Sequence, residues 1–308
     1  MLEPCPACCS DQIRVCGSYR HHNPLFDDCS RMRCDNCGMV FVSPMPDAGA
    51  LDAYNSGYFI NAHGGIPTDP VAVAFHSAIN RLRVAHVERF VEAKSVVVRE
   101  VLEIGAGSGH FARHWLARHP ETRYHAIEAD DSCHSGLIQL GITLHRKPQE
   151  LFQKTQVDLV VMSHVLEHTA DPFDFLQAAS AGLRPGGAQF IEVPCRDWEF
   201  KNEDEPHLLF FDKDPMKRLL TRLGYGDIAL SYHGREISSL RNRLSRADLF
   251  GRIRARLIKL GIVAPFASNA PGLEILNSPL ERAVVAPFEA HVEGQAPAWW
   301  LRAVATKA

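Results

Sequence analysis

The chain has 308 residues, 46% hydrophobic and 22% charged, with a formal net charge of -3. That length can bury one large α/β core with appendages or two smaller domains, and the near-neutral balance lacks the basic excess of a nucleic-acid binder. No stretch approaches the roughly 18 consecutive apolar residues that a membrane span needs. The opening Met-Leu-Glu-Pro-Cys-Pro also lacks the basic and apolar regions of a secretory signal, so a cytoplasmic location is expected.

Residues 1–46 are rich in cysteine and proline and poor in large apolar residues. Seven of the nine cysteines precede residue 38. Cys5-x-x-Cys8 and Cys34-x-x-Cys37-Gly38 form two knuckles, each able to present two thiolates to one tetrahedral zinc. Without a secretion signal, such clustering points to metal rather than disulfides. So small a segment would draw most of its stability from the metal, which makes a structural staple the expected role rather than a redox pair. Cys9 adjoins Cys8 and could compete for its place, whereas Cys16 and Cys29 are less well spaced.

After a connection over Tyr54–Pro70, apolar residues recur at helical spacing from Val71 to Ala93. The run Val96–Ile104 predicts a buried strand. Strands are then expected over Tyr124–Ile127, around Leu144, and over Val157–Met162, Ala188–Val193 and Asp227–Tyr232. Helices are expected over Asp131–Leu140, Gln149–Gln153, Pro172–Leu183 and Pro215–Leu223, the last with Gly224 past its end. This alternation implies βαβ units and a mostly parallel sheet covered on both faces. An arginine-rich helix over Leu240–Leu260 opens an insertion, and Trp299–Thr306 predicts a closing strand.

Between the first strand and its helix stands Glu103-Ile-Gly105-Ala106-Gly107-Ser-Gly109. Glycine suits a tight turn whose backbone must approach a ligand, and the spacing is not that of the dinucleotide-binding turn. The segment resembles motif I of the class I methyltransferases that use S-adenosylmethionine. Four more segments follow in that family's order: Ile127-Glu128-Ala129-Asp130, Pro148-Gln149-Glu150-Leu151, Asp158 to His168, and Leu183-Arg-Pro-Gly-Gly187. The resemblance covers roughly 80–235 and the last strand. It implies a Rossmann-like α/β sheet of seven strands, the last antiparallel. It also implies cofactor contacts from Glu103, Gly105, Ala106, Gly107, Gly109, Glu128, Ala129, Gln149, Glu150, Ser163 and His164, with Glu128 accepting hydrogen bonds from both ribose hydroxyls. The cysteine segment, followed by Tyr54, Tyr58 and Phe59, resembles the zinc-binding N-terminus of a bacterial subgroup of deoxysugar C-methyltransferases and natural-product methyltransferases, in which such aromatics fold over the cofactor.

The acceptor would lie at the carboxyl ends of the strands, within reach of His164-Val-Leu-Glu167-His168 and of His207. On a helix, His164, Glu167 and His168 would share one face. Three roles stay open for these groups: orienting the loop, acting as general base through His164, His168 or His207, or holding a second divalent metal with His164, Glu167, His168 and His207. Some methyltransferases acting on quinol precursors or RNA 3′ ends carry E-x-x-E-H here, and this chain has H-x-x-E-H. Tyr58 completes the candidate catalytic set. The chain is thus expected to form a zinc ribbon (1–46), a linker and helical lid (47–95), a methyltransferase core (96–237 and 299–308) and an insertion (238–298) capping the substrate or contacting another subunit. The expected activity is O- or C-methylation of a small molecule by a monomer or homodimer, without membrane or nucleic-acid partners. An rRNA methyltransferase and a non-catalytic binding protein of the same fold are the alternatives.

Overall fold

The structure, a computed structural model, describes residues 3–57, 66–241, 253, 256–257, 260 and 271–308. Its N-terminal strands are β1 (Ile13–Ser18), β2 (Ser30–Cys34) and β3 (Val40–Ser43), followed by α1 (Ala48–Asn55) and the long α2 (Pro70–Ala93). Asp69 caps α2 by accepting from the amides of Val71 and Ala72, with Pro70 at the first helical position, where its missing N–H costs nothing. Then come β4 (Glu100–Ile104), α3 (His110–Arg118), β5 (Arg123–Ile127), α4 (His134–Gln139), β6 (Thr143–Leu144), α5 (Pro148–Phe152), β7 (Val157–Ser163), α6 (Pro172–Ser180) and β8 (Leu183–Pro194). The chain closes with β9 (Leu209–Phe210), α7 (Lys213–Arg222), β10 (Tyr225–Glu236), α8 (Ile237–Leu240), α9 (Pro279–Val285), β11 (Glu293–Gly294) and β12 (Ala298–Lys307).

The larger sheet runs β11-β10-β12-β8-β7-β4-β5-β6. Strands β6, β5, β4, β7 and β8 are mutually parallel, and β12 enters antiparallel between β8 and β10. This is the expected Rossmann-like order with a reversed last strand, extended by the short β11. Alternation along the strands divides the core. Val101, Leu159, Val161 and Phe190 face α2 and α3 through Val84, Val87, Phe111 and Trp115. Leu102, Val160, Met162 and Ile191 face the other way, into a layer with Leu176, Met216 and Leu219.

That second layer continues into the cysteine segment. Phe26, Met32, Met39 and Phe41 are buried and belong to the same apolar body. The segment's sheet, β1-β2-β3-β9, takes its fourth strand from the main domain, with Val40 opposite Phe210 and Phe41 opposite Leu209. The ribbon therefore borrows the core its own residues could not supply.

Three local expectations change. The first strand starts at Glu100 rather than Val96, because the chain must first leave α2: Ser95 is left-handed, the Val96 amide donates to the Val91 carbonyl, and Val97 is 68% exposed. Strand β8 already begins at Leu183, and its register jumps from Val157–Leu183 to Leu159–Ala188, so the Arg184–Gly187 turn is a bulge inside the strand. After β7 there is a single 3-10 turn at Leu166–His168 instead of a helix. The arginine-rich helix expected over Leu240–Leu260 lies almost wholly outside the described residues. The later part of the insertion packs Leu273, Leu276, Val284 and Val285 against Ala78, Ile79 and Leu82 of α2 and against Trp300.

Candidate active site

A cavity of about 1040 Å³ opens at the carboxyl ends of the parallel strands. This is the upper end of the range for small-molecule sites, enough for two ligands side by side. Its floor is the turn after β4. Gly105 has φ +72°, and a Cβ there would lie 2.4 Å from Cγ2 of Val165. Valine is stiff at χ1 and yields little, so glycine is required. Gly107 is also left-handed, and its amide donates to Glu128 Oε2 at 2.6 Å, while Glu128 Oε1 accepts from the Asp130 amide at 2.9 Å. The glycine turn and the end of β5 are thus joined through one carboxylate.

Glu103 lines the same floor and accepts from the Tyr124 hydroxyl at 2.7 Å. Burial pushes its carboxyl up to about 8, against the Tyr124 hydrogen bond, which lowers it. The proton is therefore held more tightly in the folded chain than in the unfolded one, where an ordinary glutamate titrates near about 4.3. The resulting stabilisation is complete below that ordinary value and is lost as pH rises through about 8. Glu103→Gln is expected to flatten the fall in melting temperature between about pH 5 and pH 8 in ligand-free protein. Thermal denaturation across that range checks it, and an unchanged slope would refute the assignment.

Ala106, Ala129, Gln149, Ser163, His164, His168 and His207 also line the cavity. Three expected residues do not. Gly109 is the left-handed residue that starts α3 and packs toward Leu137 and Leu140. Glu150 turns back to accept from the Arg146 amide at 3.0 Å, closing the first turn of α5. Glu167 is buried beneath the surface of the cavity. Tyr58 and Phe59 lie outside the described residues.

The three histidines differ sharply. His164 adopts a left-handed conformation, φ +57°, a cost that the surrounding contacts must repay. Its Nδ1 lies 3.3 Å from Glu167 Oε1 and its Nε2 lies 3.3 Å from Glu192 Oε1. Burial opposes charge on this ring, but the two carboxylates outweigh burial and hold it above its ordinary value. Both ring nitrogens of His164 thus face carboxylate oxygens. Glu192 also accepts from Arg83 Nε at 2.8 Å and Arg302 Nε at 2.6 Å. Burial opposes its ionisation, and the two guanidinium groups hold it well below the usual carboxylate range.

His168 has its Nδ1 3.3 Å from the Pro206 carbonyl, and burial pushes it down to about 4, so the ring is neutral at pH 7. His207 places Nδ1 2.7 Å from Asp197 Oδ2, and Lys201 Nζ lies 2.8 Å from the same oxygen. Burial opposes ionisation of Asp197, but His207 and Lys201 outweigh it and keep the carboxyl well below its usual range. A carboxylate accepts only, so the His207 proton sits on Nδ1 and Nε2 is left as the basic nitrogen. Donor atoms of Glu167, His168 and His207 lie within 4.8 Å of one another. His164 is not one of that set, although its Nδ1 lies 3.3 Å from Glu167 Oε1.

Sequence reasoning missed Asp197, Glu192, Arg83 and Lys201. Asp197 could have been found: a carboxylate and a histidine in one polar loop after β8 are natural partners. The Arg83–Glu192 pair, from α2 and β8, has no local signal.

At the far end of the ribbon, Cys5, Cys8, Cys34 and Cys37 converge. Cys5 and Cys37 sulfurs are 3.5 Å apart, and those of Cys8 and Cys34 are 3.6 Å apart. Four thiolates around one zinc at about 2.3 Å each would stand about 3.8 Å apart, so the donor set fits that metal. Cys9 is exposed and does not belong to the set. Among the described residues no helix is long and apolar enough to cross a membrane.

A family model described as a methyltransferase domain matches residues 75–249. The chain is 32% identical over 111 residues to the tRNA U34 carboxymethyltransferase of Pseudoalteromonas atlantica, a match covering 32% of this chain and 33% of that one, about a third of the relative's length. Among solved structures it is similar to a SAM dependent methyltransferase from Archaeoglobus fulgidus, at 16% identity over 74% of this chain and 94% of that one, TM-score 0.45. It is also similar to the plantazolicin methyltransferase BpumL in complex with SAH, at 13% identity over 84% and 96%, TM-score 0.49. With more than half of its length matched by that model, the chain belongs to the methyltransferase domain family.

Proposed function

We propose that this chain is an S-adenosylmethionine-dependent methyltransferase acting on a small molecule with an acidic O–H or C–H. One observation carries the proposal: the glycine turn, Glu128 and His207, the last held by Asp197, line the same cavity. Gly105, Gly107 and Glu128 would hold the cofactor, and S-adenosylmethionine would supply an electrophilic sulfonium methyl. His207 Nε2 takes the acceptor's proton while the acceptor atom gains the methyl, so the nucleophile is strongest where the bond forms. Asp197 fixes the tautomer and stabilises the imidazolium. Trp299, Trp300 and Phe75 give the acceptor side apolar walls, which exclude water and align the reactants.

The test has two parts. Calorimetry with S-adenosylmethionine and its demethylated product, S-adenosylhomocysteine, is expected to show one binding site per chain. Transfer from methyl-labelled cofactor is then followed over phenols, hydroxylated sugar nucleotides and bulk tRNA. His207→Gln is expected to keep cofactor affinity and lose about 10²–10⁴-fold in transfer. Absence of binding would sink the proposal, and transfer confined to tRNA would replace the acceptor class. The expected metal content is one zinc per chain; a second divalent ion would convert His207 from base to ligand.

A further inference from the structure

The ribbon meets the loop beside the cavity chiefly through Arg20; Arg31 of β2 adds a longer contact, its Nη1 3.5 Å from Asp204 Oδ1 and its guanidinium over the Trp198 ring. Arg20 follows β1, and its amide and Nε donate to Asp204 Oδ2 at 2.8 and 3.0 Å. Its Nη1 donates to the Lys201 carbonyl at 2.8 Å, and its Nη2 to the Trp198 carbonyl at 2.7 Å and to Asp204 Oδ1. The Asp204 amide donates back to the Arg20 carbonyl at 2.8 Å, and the Asp204 side chain is fully buried. These contacts fall on both halves of the loop that begins at Asp197 and ends at His207. The Asp204 carbonyl in turn accepts from the His207 amide at 2.9 Å, and the Leu208 amide donates to the Glu167 carbonyl at 2.7 Å.

We propose that Arg20 is a positioning residue: through it the four-cysteine ribbon fixes loop 197–207 and so holds His207 against Asp197 at the cavity. A loop of this length loses its conformational freedom only if something holds it. The planar guanidinium does so with a fork of donors in fixed geometry, which a lysine ammonium cannot reproduce. Asp204 in turn needs a cationic partner, because its carboxylate is buried and an unpaired buried charge is unfavourable. Zinc held by Cys5, Cys8, Cys34 and Cys37 would stabilise the frame that carries Arg20, and that frame orders the loop bearing His207. The role assigned to His207 rests on the methyltransferase proposal above, whereas its geometry does not.

The experiment compares the full-length wild type with Arg20→Met, Arg20→Lys and the control Arg14→Met. Arg14 is an exposed ribbon arginine whose Nε donates to Asp35 at 2.8 Å, far from the loop. Long-range proton–nitrogen correlation spectra of the imidazoles report which His207 nitrogen carries the proton. The wild type and Arg14→Met are expected to show a single Nδ1–H tautomer. Arg20→Met is expected to lose it to a mixture, with Arg20→Lys in between, while zinc content and affinity for S-adenosylhomocysteine stay as in the wild type. An unchanged tautomer in Arg20→Met would overturn the proposal. Loss of zinc from that variant would also overturn it, because Arg20 would then serve only the ribbon's own fold. Failure of the wild type to bind S-adenosylhomocysteine would sink the methyltransferase proposal and leave the tautomer comparison standing.

Discussion

Cys34→Ser is expected to unfold the ribbon and to loosen loop 197–207 with it. Cys34 is buried at the end of β2, its sulfur 3.6 Å from that of Cys8, and its amide closes the knuckle turn by donating to the Met39 carbonyl at 2.9 Å. Structural zinc in small domains contributes about 10–16 kcal/mol of apparent binding free energy. Against a net stability of about 5–15 kcal/mol for a whole domain, losing one ligand is decisive for the ribbon. The main sheet does not depend on zinc, so a lower, separate thermal transition should precede the main one. Metal analysis should show zinc lost, and hydrogen exchange should rise first at the Val42 amide, which donates from the ribbon to the Leu208 carbonyl at the end of the loop. A single transition at the wild-type temperature would contradict this.

Glu128→Ala is expected to reduce affinity for S-adenosylhomocysteine on the order of 100-fold with little change in melting temperature. Hydrogen bonds to a charged group contribute about 1.5–3 kcal/mol each, and two such bonds to a ribose would account for at least that factor, at about 1.4 kcal/mol per tenfold. Among the described residues the Glu128 carboxylate accepts from turn amides, those of Gly107 and Asp130, which water can serve after the substitution. Calorimetry measures the loss directly. Wild-type affinity in Glu128→Ala would remove the carboxylate from the cofactor site.

Features set by local sequence were legible in advance. The strand–glycine turn–helix at Glu103–Phe111 needs only its own residues, and the two cysteine pairs declare a metal by spacing. The alternation of strand and helix yields the sheet because connections of that length permit few topologies. What was not legible depends on distant partners. Leu209 and Phe210 look like any apolar pair after a loop, yet they pair with β3 of the ribbon. The environment of His164 is legible only in part, because burial opposes its charge while Glu167, three residues on, and Glu192, on another strand, favour it. The apolar run at Val96–Val98 promised strand and forms the exit from α2, because position on the surface overrides propensity. The acceptor itself is not written in any segment, because the cavity draws Phe75, His207, Trp299 and Trp300 from separate elements.

The pairing of β3 with β9 joins residues 40–41 to residues 209–210. During synthesis, zinc can gather its four thiolates as soon as residue 37 is available, so the ribbon's knuckle closes early. Its third strand, Val40-Phe41-Val42, then waits as an open apolar edge until the chain has passed residue 210, a pairing with a high loop-closure cost. An edge of that composition invites pairing with another chain in the interval. A stall or truncation between β3 and β9 should therefore yield aggregates that retain zinc, and zinc loading alone should not measure how much of the protein is native.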